Sequence, residues 1–241
     1  MPSRQPILNV PAVVVGLVAV MAVIEAARSV LSDAANIEIL ALFAFIPARY
    51  DGAADFVLPG GLGAEIWTTV TYALLHGGWL HLAMNAVWLL AFGTPVARRF
   101  GTVRFLAFCG VTAIAGAAAH YLSFPGEMVP MVGASAVVSG TMAAAVRFAF
   151  TAGGPLAPMG HARMVHGPAA SLVEAFREPR VLVFVAVWVG LNLLFGVGIS
   201  PPGAEGAEVA WQAHMGGFFA GLLLFSLFDP PRPVADASFR F

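Results

Sequence analysis

The sequence predicts an all-α membrane protein with six transmembrane helices. Of its 241 residues, 59% are hydrophobic and only 10% are charged, and the mean hydropathy is +0.85. Such a chain has too little polar surface to enclose a water-soluble core. Six apolar stretches have the length of about 20 residues that a helix needs to cross a bilayer. All twelve basic residues are arginines, and they cluster on alternate connections between these stretches, as in polytopic membrane proteins.

The six predicted spans form a single polytopic domain over residues 1–241. We place them at residues 7–27, 79–96, 103–121, 131–150, 181–199 and 209–228. The first apolar run follows a basic residue, as in a signal peptide, but it is long and lacks an obvious cleavage site, so we expect a retained helix.

Two long connections separate the spans. Residues 28–78 form the first, and within it the apolar segment 36–50 is too short to cross, so we expect it to lie in the outer interface. Residues 151–180 form the second, which we interpret as a flexible cytoplasmic loop followed by a short amphipathic helix.

The arginines predict the orientation. On the predicted topology one side carries Arg4, Arg98, Arg99, Arg104, Arg147, Arg163, Arg177, Arg180, Arg232 and Arg240. Only Arg28 and Arg49 fall on the other side. By the positive-inside rule, both termini are cytoplasmic, and residues 28–78, 122–130 and 200–208 face outward. The spans show no internal repeat, which argues against a transporter.

Four strongly polar side chains lie within these spans, where lipid makes them costly. They are His81, Asn85, Ser135 and His214. His81 and Asn85 are four residues apart and therefore share one face of the second span. Any one of these residues alone can be a packing or helix-bridging residue.

Small residues at four-residue spacing accompany Ser135 and His214. Ser135 is in line with Ser139 and Ala143, and His214 shares a stripe with Gly217 and Gly221. Because small residues let helix backbones approach closely in lipid, we expect the fourth and sixth spans to dock and bring Ser135 to His214. Both residues lie on the order of 6 to 8 Å below the outer edge of their spans. Asn85 lies at a comparable depth and His81 is shallower. Because the four residues fall on one side and near one depth, we favour one functional site over four independent packing residues.

Three motifs resemble those of the rhomboid intramembrane serine proteases. They are "HGGWLHLAMN" at residues 76–85, "GASA" at 133–136 and "AHMGGFFAG" at 213–221. They occur in the family's order on the second, fourth and sixth spans, so the resemblance covers nearly the whole chain. It implies a six-transmembrane-helix rhomboid-like bundle with a long interfacial loop after the first helix.

The resemblance also implies a mechanism. Ser135 would be the nucleophile and His214 the general base and acid of a dyad. His81, Asn85 and the backbone N–H of Ser135 would form the oxyanion hole. Glu208 lies on a different helical face from His214, so no third carboxylate is expected.

Gly133 and His76 would support the site, Gly133 by letting the backbone approach the substrate or simply by packing. The expected substrates are single-span membrane proteins, cut near their outer end in the lipid bilayer. We expect no cofactor, no metal and no nucleic-acid partner. The compact six-helix plan leads us to expect a bacterial inner membrane, with the active site opening to the outer side.

Two positions differ from the family pattern. Ala136 replaces the glycine after the nucleophile, which leaves the backbone amides in place, and we expect activity to survive the change. In the first loop a tryptophan-arginine pair reads Trp67-Thr68. The missing arginine bears on how the loop is anchored and not on the chemistry.

Four other functions would each require residues different from those in the sequence. A catalytically silent rhomboid-like protein that binds membrane clients would be expected to lack the serine or the histidine. A channel would carry ionisable residues through the bilayer, and the inner halves of the spans are nearly free of them. A metalloprotease using His76, His81 and His214 would need a carboxylate ligand or a His-Glu-x-x-His pattern. An aspartyl protease would need two carboxylates within spans, where only Glu25 is a candidate.

Overall fold

The structure is a computed structural model that describes residues 10–51, 57–150, 154, 167–198 and 209–231. Its α-helices are α1 (Ala12–Arg28), α2 (Asp33–Phe43), α3 (Gly61–Thr71), α4 (Trp79–Trp88), α5 (Thr94–Phe100), α6 (Thr102–Ser123), α7 (Ser135–Val146), α8 (Leu172–Ala175), α9 (Pro179–Gly196) and α10 (Trp211–Phe228). A π-helical segment, Leu89–Gly93, joins α4 to α5. In the described ranges the only extended pairing is the isolated bridge between Phe45 and Met131, which agrees with the predicted all-α class.

Four stretches of the described chain are long and apolar enough to cross a membrane. They are Trp79–Phe100, α6, α9 and α10. Helix α7 is apolar but shorter, with 12 residues. These assignments follow from length and composition, the same properties that predicted the spans.

The fourth predicted span, 131–150, differs most from its helix. Backbone hydrogen bonds pair Met131 with Phe45, from Phe45 N to Met131 O at 3.1 Å and from Met131 N to Phe45 O at 2.8 Å. Gly133 then has a φ of +122°, a left-handed conformation that a helix does not allow. The helix therefore begins at Ser135 rather than Met131, which puts this serine in the first turn.

The other helix ends differ from the predicted spans by a few residues. Helix α1 begins at Ala12, after Pro11. The start of the span 7–27 and the end of the span 181–199 lie outside the described residues. The span 79–96 continues as helix to Phe100, through the π-helical segment.

The first connection, 28–78, contains helical segments that the sequence did not predict. Helices α2 and α3 lie within it, with a 3-10 turn at Pro47–Tyr50. Three hydrogen bonds tie them together: Trp67 Nε1 to the Leu42 carbonyl at 2.8 Å, Tyr50 Oη with Thr68 Oγ1 at 2.9 Å, and Arg49 Nη1 to the Pro59 carbonyl at 2.9 Å. Buried Thr68 thus contributes to the anchoring that the missing arginine put in question.

Helix α7 lies at the centre of the bundle. Every residue from Ala136 to Val146 is buried, as expected for a helix that is apolar on all sides. Its main neighbours are α10 and α6. A Cβ added at Gly217 would overlap the Ala136 carbonyl, and one at Gly221 would overlap the Gly140 carbonyl. The predicted docking of the fourth span on the sixth is therefore confirmed for α7 and α10, but the face of α7 in contact carries Ala136 and Gly140 and not the predicted stripe of Ser135, Ser139 and Ala143.

This pairing also fixes the direction of the two helices. Ala136 lies against Gly217 and, one turn further along both chains, Gly140 lies against Gly221. The helices α7 and α10 therefore run parallel and begin at the same end of the bundle. Ser135 and His214 belong to the first turns of these two helices.

Candidate active site

Ser135 is the first residue of α7 and is partly exposed, whereas the rest of the helix is buried. The first hydrogen bond within the helix runs from Val138 N to the Ala134 carbonyl at 2.9 Å. The N–H groups of Ser135, Ala136 and Val137 precede it and have no intrahelical acceptor. No side chain caps this end of the helix. The uncapped donors and the helix dipole make the surroundings of Ser135 favourable for negative charge.

His81, in the first turn of α4, lies beside Gly133. A Cβ built on Gly133 would be 2.8 Å from both Cε1 and Nε2 of His81 and 3.8 Å from Oγ of Ser135. The imidazole and the hydroxyl therefore border the same small space. Only a residue without a side chain fits between them.

The tautomer of His81 follows from its hydrogen bond. The Gly77 N–H donates to Nδ1 of His81 at 3.3 Å, so Nδ1 acts as an acceptor. A neutral imidazole with Nδ1 unprotonated carries its proton on Nε2. The donor Nε2–H is thus the nitrogen that lies against Gly133, on the side of Ser135.

Asn85 lies one turn below His81 and is 5% exposed. Its Nδ2 donates to the His81 carbonyl at 3.0 Å, which leaves one further N–H of the amide. His81 and Asn85 therefore share one face of α4, as the sequence predicted.

His76 packs against His81, with ring centroids 5.1 Å apart in an edge-to-face arrangement. It is 1% exposed. Burial, followed by the effect of His81, lowers the pKa of His76 to about 3, so its ring is neutral at physiological pH. Nη1 of Arg28, in the last turn of α1, donates to the His76 carbonyl at 2.6 Å. His76 thus packs against the ring of His81 and restricts its position.

His214 lies in the first turn of α10, one turn before the Gly217 that contacts α7. The hydrogen bonds of the described residues do not include one between Ser135 Oγ and His214. Catalytic hydrogen bonds are often long in an enzyme without substrate and tighten in the complex.

The site therefore combines a hydroxyl, two imidazoles and uncapped amide donors at one end of a buried helix pair. The family model for the rhomboid domain matches residues 63–229, a range that includes all three motifs. The chain belongs to the rhomboid family. The resemblance that the motifs carry is confirmed, and this rhomboid is an integral membrane protein.

Two curated rhomboid relatives match shorter parts of the chain. Rhomboid protease GluP of Bacillus subtilis (strain 168) is 36% identical over 80 residues, which are 33% of this chain and 15% of that protein. Rhomboid protease GlpG of Haemophilus influenzae is 35% identical over 63 residues, which are 26% of this chain and 33% of that protein. The chain thus matches well under two thirds of the length of either relative.

One polar residue of the rhomboid site escaped the sequence interpretation. Asn192 of α9 is 3% exposed, and its Oδ1 lies 2.8 Å from Nδ1 of His214. The signal was present, because an asparagine within the apolar run "VAVWVGLNLLFG" is as costly in lipid as the four residues that were singled out. Glu208, the carboxylate considered as a third member, lies outside the described residues.

The described part of the rhomboid chain offers no metal centre. It contains no group of three or more His, Cys, Asp or Glu side chains placed to hold an ion. His76 and His81 contact each other through ring faces and edges, and the Nδ1 of His214 faces an asparagine.

Proposed function

We propose that this protein is an intramembrane serine endopeptidase that uses a Ser135–His214 dyad. The observation that carries the proposal is the position of Ser135. Its hydroxyl sits at the uncapped start of a buried helix and beside the Nε2–H of His81, and His214 lies in the first turn of the parallel helix α10. The names of the partial relatives, both rhomboid proteases, support the same activity.

The chemistry follows the dyad logic. The Oγ of Ser135 attacks the scissile carbonyl carbon while His214 accepts the hydroxyl proton. The carbonyl π electrons move to the oxygen, and His81 Nε2–H, the Asn85 amide and the Ser135 N–H stabilise this oxyanion. Collapse of the intermediate breaks the C–N bond, and His214 gives its proton to the leaving amine. Water, activated by His214, then hydrolyses the acyl-enzyme and frees Ser135.

The proposed setting is a six-span bundle. The spans are α1, Trp79–Phe100, α6, the region containing α7, α9 and α10, with residues 28–78 lying in the outer interface. The arginine distribution supports cytoplasmic termini and an active site that opens to the outer side. We place the protein in a bacterial inner membrane.

The proposed substrates are single-span membrane proteins cut near their outer end. A helix hides its carbonyls in hydrogen bonds, so the cut segment must unwind readily and should carry small or helix-breaking residues. The second candidate function is that of a catalytically silent rhomboid-like protein that binds membrane clients. It would apply only if Ser135 has no nucleophilic activity.

The test is cleavage of a reporter transmembrane segment by the purified chain in liposomes. Ser135→Ala and His214→Ala should each reduce cleavage to background while the protein stays folded. Ser139→Ala is the matched control, because that hydroxyl lies one turn further along α7 and bonds to the Ser135 carbonyl at 2.7 Å. It should keep cleavage within a few-fold of the parent. Parental cleavage by either dyad variant would refute the dyad, and an inactive parent would favour the client-binding protein.

A further inference from the structure

One face of α9 lies along α10 through three successive contacts. The rings of Trp188 and Phe218 are stacked with centroids 4.2 Å apart. One turn further, Asn192 meets His214. At the end of α9, a Cβ on Gly196 would come within 3.0 Å of the Trp211 ring. The helices α9 and α10 are thus antiparallel here, and Asn192 stands in the middle of their contact.

The hydrogen bonds of Asn192 give its amide one orientation. Nδ2 donates to the Trp188 carbonyl in the preceding turn at 2.8 Å, so Oδ1 is the atom that faces His214. A carbonyl oxygen can only accept a hydrogen bond. The 2.8 Å contact therefore requires a proton on Nδ1 of His214. A neutral ring protonated on Nδ1 keeps a free lone pair on Nε2, which is the state that a general base needs.

Resting on the proposed dyad, we propose that Asn192 is a positioning residue that fixes the tautomer and the ring orientation of His214. An asparagine in the middle of an apolar helix is costly unless it is bonded. Here it is 3% exposed, and both ends of its amide are satisfied. In serine proteases of other folds an aspartate performs this task. An uncharged amide orients the ring without attracting a proton to it.

This arrangement links the base to the docking of α9. Among the four apolar helices long enough to span, α9 is the least buried within the described chain, at 17% against 33% to 39% for the others. The orientation of His214 thus depends on the contact between α9 and α10, which includes Trp188, Asn192 and Gly196. A rotation of α9 by a fraction of a turn would move Oδ1 of Asn192 out of hydrogen-bonding distance from Nδ1 of His214.

The experiment compares Asn192→Leu and Asn192→Asp with the parent and with Leu193→Ala, an exposed neighbour on α9. Reporter cleavage is measured in liposomes from pH 5 to 9, together with thermal unfolding. Asn192→Leu should lower kcat by about 10- to 100-fold, the range expected for loss of a buried hydrogen bond, with little change in KM. Leu193→Ala should behave as the parent.

Asn192→Asp provides the readout that a purely structural role would not change. Its carboxylate can still accept from Nδ1, so most activity should return. It also favours the protonated ring, so the acid limb of the pH profile should move to higher pH. A second readout is the tautomer itself, since ¹⁵N spectra of histidine-labelled protein should show Nδ1 protonated in the parent and the two tautomers mixed in Asn192→Leu.

The outcomes separate this proposal from the proposed function. If the parent cleaves the reporter and Asn192→Leu cleaves it at the same rate, the positioning role is wrong and the dyad stands. The role is also wrong if Asn192→Leu loses activity only in step with unfolding and Asn192→Asp keeps the parental pH profile. If the parent itself is inactive, the protease proposal fails, and the ¹⁵N spectra alone decide whether Asn192 sets the tautomer.

Discussion

At the scale of single residues, Gly133 controls the distance between the two side chains that border the site. Its φ of +122° is open to glycine and strained for any other residue. A methyl group there would lie 2.8 Å from Nε2 of His81, closer than atoms in van der Waals contact. The glycine of the "GASA" motif is therefore required by both the backbone and the neighbouring imidazole.

Gly133→Ala should reduce cleavage by about 100-fold, because small displacements of catalytic groups have effects of that size. Gly101→Ala is the control. Gly101 also has a positive φ, of 75°, but no atom lies within 4 Å of its Cβ position, so this variant shares the backbone strain without the contact. Reporter cleavage by the folded fraction measures both. Equal activity of the two variants would show that the contact with His81 is irrelevant.

Ala136, which replaces a glycine of the family pattern, has its methyl group against Gly116 of α6. A Cβ on Gly116 of α6 would lie 2.5 Å from the Ala136 Cβ, so the methyl fills the space above Gly116. The alanine therefore packs α7 against α6, and survival of activity stays a prediction.

At the scale of helices, the backbone contact between α7 and α10 sets the site. Each helix contributes one half of the proposed dyad in its first turn. Without a hydrophobic force between helices in lipid, close packing of small residues provides much of the attraction. The register between Ala136 and Gly217 thus determines whether Ser135 and His214 are level.

Gly217→Ala should destabilise the protein by about 1–3 kcal/mol, as overpacking typically does. The added methyl would overlap the Ala136 carbonyl, which is backbone and cannot turn away. Gly190→Ala on α9 is the matched control, since nothing lies within 4 Å of its Cβ position. Thermal unfolding in detergent measures both variants. A parental melting temperature for Gly217→Ala would contradict the close packing.

At the scale of the whole molecule, an ion pair joins the end of α5 to the end of α10. Arg99 Nε lies 2.6 Å and Nη2 2.8 Å from the two carboxylate oxygens of Asp229. The guanidinium is also 4.9 Å from the centre of the Phe148 ring. Asp229 follows His214 by 15 residues, about 22 Å along the helix. This pair therefore closes the bundle at the end opposite to the site.

Asp229→Asn should lower the free energy of unfolding by about 2 kcal/mol, because it removes the negative charge from a hydrogen-bonded pair with a buried guanidinium. Glu178→Gln removes the partly exposed pair of Glu178 and Arg180 and should cost less than about 1 kcal/mol. The kcat of folded Asp229→Asn should equal that of the parent. A large loss of kcat without loss of stability would mean that the Arg99–Asp229 ion pair acts on the active site.

The sequence predicted the parts of this fold that depend on local pattern. Apolar length predicted the four long spans among the described residues, and small residues at four-residue spacing predicted that α7 and α10 touch. It failed where distant segments decide the outcome. Helix α7 starts at Ser135 because Met131 pairs with Phe45. The sequence around Met131 and the sequence around Phe45 do not reveal this bridge when each is considered alone. The Arg99–Asp229 pair spans 130 positions, so Arg99 was interpreted only as a charge that sets topology.

The sharpest test of the Ser135–His214 dyad is labelling of the folded protein by a serine-directed fluorophosphonate, followed by mass spectrometry of the modified residue. It needs no knowledge of the substrate. A Ser135–His214 dyad predicts modification at Ser135, absent in Ser135→Ala and strongly slowed in His214→Ala. Modification at another serine, or labelling of Ser135 at the parental rate in His214→Ala, would contradict a hydroxyl activated by that imidazole.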